Sequence, residues 1–260
     1  MEKDFEWFNH WVEKNLGIQL QSYKESQMQR RILNIMNTTG AKNLKEYSEQ
    51  IQRDSEIKQA FLEHITINVS EFYRNKELFD TFEKVFLKEI VPKFSSIKIW
   101  SAACSIGAEP YTLAMILEKN NLKQATILAT DLDDKILSRA KQGVYRLQEV
   151  RNVPKEMSIR YFSQKTTSKE TRYEVVPEIK RKVTFRKHDL LKERYTDGLQ
   201  VIVCRNVTIY FKVDARDQVY QKFSDALVPG GILFTGATET INYPERIGLR
   251  KIDSFIYQKM

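Results

Sequence analysis

Apolar residues in the first quarter of the chain recur at helical spacing. Phe5, Phe8, Val12 and Leu16 form one stripe, and Gly17 is placed to end that helix. A second amphipathic helix follows from Ser22, with Met28, Ile32, Ile35 and Met36 on its apolar face. Lys24, Gln27, Arg31 and Asn34 share another face with Arg30 beside them, so this helix carries a polar, basic side. Asn43 and Glu46 have the spacing of a capping box ahead of Leu44, Tyr47 and Ile51, and Ile57, Phe61, Leu62 and Ile65 mark a fourth helix. Residues 1–65 are therefore expected to form a small all-helical domain. The next nine residues, Thr-Ile-Asn-Val-Ser-Glu-Phe-Tyr-Arg, alternate polar positions without a helical stripe and read as a linker. Leu78, Phe79, Phe82, Val85, Phe86 and Ile90 then define a helix that starts after Asn75 and stops before Pro92. Linker and helix together make up 66–92.

Beyond residue 92 the pattern changes to apolar strand-like runs alternating with helical ones. Strands are predicted at 97–100, 126–130, 183–188, 200–204 and 231–236, with helices at 110–119, 134–142 and 214–227 between several of them. Such alternation implies a doubly wound, mostly parallel α/β sheet spanning 93–260. It breaks at about 144–182, where short β-prone pieces such as Tyr173-Glu-Val-Val176 indicate a small antiparallel insertion. Near the end, Val228-Pro-Gly-Gly231 turns tightly into a further strand, and 250–259 can supply a closing one.

Composition narrows the class. The 260 residues are 42% hydrophobic, enough for a sizeable core, and no apolar run approaches the ~20 residues needed to span a bilayer. The start Met-Glu-Lys-Asp-Phe lacks the features of a secretory signal, so a cytoplasmic protein without direct membrane insertion is expected. Cys104 and Cys204 each follow an apolar strand and suit reduced thiols, and three histidines without metal spacing argue against a metal site. The net charge of +8 points to an acidic partner, a nucleic acid or a carboxylate-rich protein surface.

Ligands of parallel sheets bind beyond the carboxyl ends of the strands, which makes the residues just after each strand the candidate site. After the first strand comes a loop of small residues, Ser101 through Ser105 and Gly107, that lets a ligand approach the backbone. Pro110 biases Glu109 away from helical geometry and starts a helix there. After the second strand comes Asp131, where nucleotide-binding sheets hold ribose hydroxyls, although it could equally cap the helix near Asp134. His188, Asp189 and Leu190 follow the third strand; Arg205, Asn206 and then Thr208 to Phe211 follow the fourth. Together these positions favour an adenosine-type cofactor site.

Four stretches resemble the chemotaxis receptor glutamate methyltransferases of the CheR type. They are Thr66-Ile-Asn-Val-Ser-Glu-Phe-Tyr-Arg74, Trp100-Ser-Ala-Ala-Cys-Ser-Ile-Gly-Ala-Glu-Pro-Tyr111, Ala129-Thr-Asp131 and Val203-Cys-Arg-Asn-Val-Thr-Ile-Tyr-Phe211, joined by Leu227-Val-Pro-Gly-Gly-Ile-Leu-Phe-Thr-Gly236. The resemblance implies a class I S-adenosylmethionine-dependent methyltransferase fold that converts the cofactor to S-adenosylhomocysteine without a metal. It further implies that Asn68, Ser70 and Arg74 fold over the cofactor, that Glu109 contacts it, and that Asp131 holds the ribose. Asp189 and Leu190 would flank the adenine, Arg205 and Asn206 would line the remaining side, and Tyr210 would shape the methyl-transfer pocket beside Arg74. The helical domain resembles a receptor-docking module, which agrees with the basic face of Lys24, Arg30 and Arg31, and recruitment to membrane receptors would run through these protein contacts.

The chain departs from the family pattern in three places. Ala108 stands where relatives commonly have a glutamate before Glu109-Pro110, Asp189 stands for an asparagine, and Phe162 to Thr171 lacks the glycine of relatives that tether to a receptor tail. Tethering is therefore not expected. The implied reaction forms a methyl ester on a glutamate, a group with a reference pKa of ~4.3 that is already ionised at neutral pH. That accounts for a chain with no evident Ser-His-Asp set or Cys-His pair. The competing readings are an RNA methyltransferase and a non-catalytic nucleotide-binding regulatory module. Against RNA, the fourth strand ends in Arg205-Asn206-Val207 without the Asn/Asp-Pro-Pro-aromatic signature of base-amino methyltransferases, and no basic cluster interleaved with stacking aromatics is present. Against a silent module, every strand-end polar position is filled.

Overall fold

A computed structural model describes residues 2–66, 70–167 and 170–260. Its contacts divide into two compact units, Met1–Asn68 with Tyr210–Asp217, and Val69–Ile209 with Gln218–Met260.

The first unit is built on α1 (Glu2–Leu16), α2 (Glu25–Thr38), α3 (Leu44–Arg53) and α4 (Ser55–Thr66). Phe8 is fully buried and packs its ring against Tyr47 and Phe61 at 6.1 and 6.0 Å, with Val12, Met28, Ile32, Ile51 and Ile65 completing the core. The α3 cap differs from the predicted box in one partner. Asn43 Oδ1 accepts from the Glu46 N–H at 2.9 Å, but the Glu46 carboxylate accepts from the Lys42 N–H, one residue ahead of the cap. Helix α2 starts at Glu25 rather than Ser22, because residues Leu20–Ser22 wind into a 3-10 turn and the following segment pairs with 210–212. The Lys24 N–H donates to the Tyr210 carbonyl and the Lys212 N–H to the Ser22 carbonyl, both at 2.8 Å. The rings of Tyr23 and Phe211 meet edge to face beside them.

The second unit begins with α5 (Lys76–Glu89) and continues through β1 (Ile97–Ala102), α6 (Ala108–Lys119), β2 (Ala125–Asp131) and α7 (Asp134–Gln142). Next come β3 (Val144–Arg146), α8 (Leu147–Val150), α9 (Lys155–Tyr161), β4 (Phe162–Thr166), β5 (Thr171–Val175) and α10 (Pro177–Lys180). Strands β6 (Val183–Lys187) and β7 (Leu199–Cys204), helix α11 (Val213–Ala226, whose first turn falls in the helical unit), β8 (Leu227–Thr235), β9 (Leu249–Asp253) and β10 (Ile256–Lys259) complete the chain. The main sheet has the order β6-β2-β1-β7-β8-β10-β9. Its first five strands are mutually parallel, and β10 runs antiparallel to both of its neighbours. The closing segment is thus a hairpin, not a single strand. The insertion forms a separate antiparallel sheet of order β3-β5-β4.

Helix α6 is apolar on all sides and is buried from Ala108 to Leu117 except at Glu109, which fixes the site at its N-terminus. Where β8 leaves β7, a Cβ on Gly231 would lie 3.0 Å from the Val228 carbonyl oxygen and 3.1 Å from that of Gln200. Only glycine lets the two backbones come this close, at the point where their register shifts.

Candidate active site

The loop from β1 to α6 holds three residues in the left-handed region: Ala103 at φ +63°, Ser105 at +50° and Gly107 at +87°. Two of the three carry a Cβ, so the conformation is imposed by the surroundings. The Cys104 N–H donates to the Thr130 carbonyl and the Ser105 N–H to Asp131 Oδ2, each at 2.8 Å, which laces the loop to the end of β2. From the other side the Tyr145 hydroxyl donates to the Ile106 carbonyl at 2.7 Å.

Glu109 is half-buried at the start of α6, and its Oε1 accepts from the Ser101 hydroxyl at 2.9 Å. Burial pushes its carboxyl up to about 7. The Arg205 guanidinium, the Ser101 hydrogen bond and Arg74 oppose that rise, and the Glu239 charge adds to it. Asp131 is buried at the end of β2 and is likewise raised by burial, against the backbone N–H groups of Asp133 and Ser105. The cap of α7 is Asp133, whose Oδ1 accepts from the N–H groups of Lys135 and Ile136 at 2.8 and 3.3 Å. Asp131 is therefore not the helix cap and faces the loop instead.

At the end of β7, Arg205 is buried between the rings of Phe79 and Phe234, 4.9 Å from each centroid. Its guanidinium donates to the Arg74 carbonyl at 2.9 Å and to Asn75 Oδ1 at 3.1 Å, and so fastens the linker to the sheet. The same linker docks through buried Phe72 and Tyr73, with the Tyr73 N–H donating to Thr112 Oγ1 at 3.2 Å. Asn206 adopts φ +62°. At the end of β6, Asp189 Oδ1 accepts from the Leu191 N–H at 2.8 Å, and Leu190 is buried.

Ser70, Arg74, Glu109, Asp131, Asp189, Leu190, Arg205 and Asn206 all fall in the second unit. Asn68 lies outside the described residues, and Tyr210 belongs to the helical unit, where its carbonyl holds the Lys24 N–H. Sequence reasoning missed Glu239, a buried carboxylate that accepts from the N–H groups of Asn206, Val207 and Thr208.

The donor set fits a cationic adenosine ligand. Two carboxylates, Glu109 and Asp131, stand at neighbouring strand ends, where an ammonium group and a ribose diol need acceptors. The buried Nε of Arg205 has no hydrogen-bond partner among the described residues, leaving a donor for a carboxylate or amide. Among those residues, no group of three His, Cys, Asp or Glu side chains could hold a metal ion.

Comparison with known proteins shows the family of the chain. Residues 68–256 match the family model described as CheR methyltransferase, SAM binding domain, and residues 3–66 match the CheR methyltransferase all-alpha domain. Fold and site thus define an S-adenosylmethionine-binding methyltransferase. The chain is 38% identical over 261 residues to a chemotaxis protein methyltransferase of Listeria monocytogenes, an alignment covering 100% of this chain and 98% of that one. A second relative, chemotaxis protein methyltransferase 1 of Pseudomonas aeruginosa, is 35% identical over 251 residues, covering 92% of this chain and 90% of the other. The chain belongs to the CheR methyltransferase family.

Proposed function

We propose that the protein methylates glutamate side chains on the cytoplasmic domains of chemotaxis receptors, giving methyl esters that adjust the sensory signal. The observation that carries this reading is the end-to-end similarity to chemotaxis protein methyltransferases, combined with a strand-end site suited to a cationic adenosine ligand. S-adenosylmethionine supplies an electrophilic methyl carbon on a sulfonium. A substrate glutamate arrives ionised, so no side chain of the protein has to remove a proton. The work left to the protein is placement and exclusion of water, effects worth up to ~7–11 kcal/mol in favourable cases.

Glu109 takes the amino group of the methionine moiety and Asp131 the ribose hydroxyls. Arg205 and Asn206 line the opposite side, while Asp189 and Leu190 flank the adenine. From the linker, Asn68 and Ser70 cover the cofactor and Arg74 orients carboxylates through a two-pronged contact. Tyr210 is assigned to the substrate side. In the helical unit Lys24 and Arg30 are exposed and form the receptor-docking pair. Arg31 is engaged within the fold, its guanidinium donating to the His64 carbonyl in the last turn of α4. No tether through the small β sheet is assigned. The protein works in the cytoplasm and reaches membrane receptors through these protein contacts; no helix of the described residues is long and apolar enough to cross a membrane.

The test is incubation with methyl-labelled S-adenosylmethionine and either a receptor cytoplasmic fragment or RNA. Label on the receptor that mild base releases is the expected result. Transfer to RNA, or label that survives base, refutes glutamate ester formation.

A further inference from the structure

Asn206 sits at φ +62°, in the left-handed region that asparagine adopts more readily than most residues with a Cβ. Its backbone is held there from the segment that follows the neighbouring strand. Glu239, 3% exposed, follows β8, and its Oε2 accepts from the N–H groups of Asn206 at 2.5 Å and Gly236 at 2.8 Å. Its Oε1 accepts from the N–H groups of Val207 and Thr208, both at 2.8 Å, and from the Thr208 hydroxyl at 2.9 Å. The residue is itself pinned: its N–H donates to the Gly236 carbonyl and its carbonyl accepts from Thr235 Oγ1, each at 2.9 Å. Gly236 makes room for the arrangement, since a Cβ there would collide with the Glu239 carboxylate and lie 2.9 Å from the Asn206 nitrogen.

We propose that Glu239 is a positioning residue for cofactor binding: its carboxylate ties the end of β8 to the end of β7 and sets the backbone of Arg205 and Asn206 against the cofactor. The inference rests on the reading that these two residues line the cofactor site. A carboxylate is the group this junction calls for, because it accepts several N–H bonds at once and offers no donor of its own. It also places a negative charge facing both Arg205 and Glu109.

Glu239→Gln tests the proposal, because the isosteric amide points an NH2 group at backbone N–H donors. Affinity for S-adenosylmethionine is measured by titration calorimetry together with backbone hydrogen exchange, in parallel with Ile179→Val, a buried change in α10 that reports loss of stability alone. The expected result is a folded variant that binds at unit stoichiometry about tenfold more weakly, with faster exchange at 206–208 and wild-type affinity in Ile179→Val. A second readout is the pH dependence of the affinity. Glu109 is faced by Arg205, Arg74, Glu239 and the Cys104 thiol, and losing the Glu239 charge moves its titration to lower pH. Should Glu239→Gln fail to fold, Glu239→Asp, which keeps the charge but withdraws it by one methylene, is scored by affinity and by exchange at 206–208, with the pH dependence expected to stay as in the wild type. A folded variant with lowered thermal stability but wild-type affinity and pH dependence overturns the positioning role. Failure of the wild-type protein to bind S-adenosylmethionine would instead remove the cofactor reading beneath it.

Discussion

Glu109 is asked to be two things at once. Folding favours its protonated form, since burial lifts the carboxyl to about 7, whereas capture of an ammonium group favours the charged form. The sign follows from that displacement. A carboxyl raised above its unfolded value lowers stability as pH climbs from about 4.5 to about 7, and the penalty stays in full above that. Glu109→Gln should therefore raise the Tm of the ligand-free protein by ~2–4 °C at pH 8, as scanning calorimetry would show. The same change should weaken S-adenosylmethionine binding about tenfold, and wild-type affinity should fall as pH drops below about 7 while the variant's stays flat. A variant that loses both stability and pH dependence would contradict this account. Arg74 gives a second test, because its backbone carbonyl, which truncation of the side chain keeps, accepts from Arg205. Arg74→Ala should fold normally by circular dichroism and lose most methyl transfer.

At the level of elements, α2 shows what periodicity reveals and what it hides. Helical spacing assigned Lys24, Arg30 and Arg31 to one basic side, but Lys24 precedes the helix, and spacing cannot tell which side chains another helix will claim. Arg31 is half-buried and bonded to the α4 carbonyl of His64, while Lys24 and Arg30 remain exposed. Reversing the charge at Lys24 and Arg30 should raise the apparent Michaelis constant for receptor and leave cofactor affinity unchanged. Arg31→Ala should instead cost ~1 kcal/mol of stability, seen in urea titrations, with little effect on receptor affinity. The same limit applies to Glu239. Glu239 lies 33 residues from Asn206, in a loop without periodicity, and carries no local signal of the N–H groups it gathers.

On the scale of the whole molecule, the parallel sheet was legible because most of its strands contain short apolar runs separated by helical ones, and parallel order puts their carboxyl ends on one rim. Glu109, Asp131 and Arg205 all stand there. The antiparallel insertion was legible as a break in that alternation, but its strand order was not, and the closing hairpin was legible only as a single strand, since short, mostly exposed strands such as β4 have too little apolar pattern to set their register. Ligand binding to this unit should register globally. At a hundredfold excess over Kd, S-adenosylmethionine stabilises the folded state by ~2.7 kcal/mol, so a thermal shift of about 5–10 °C is expected. With a net charge of +8, receptor affinity should weaken as salt rises, and cofactor affinity much less.

The left-handed residues of the β1–α6 loop have a thermodynamic corollary. Ala103 and Ser105 hold these angles despite their side chains, and the loop is laced to β2 by bonds made within the protein itself. The loop's conformational entropy is surrendered during folding, so cofactor capture should show a modest entropic penalty. Exchanging Ala103 and Ser105 for glycine would widen the unfolded ensemble and slacken the loop, moving that penalty into the binding step. Calorimetry on the double glycine variant should show a less favourable binding entropy at similar enthalpy, the mark of a loop that must now be organised by its ligand.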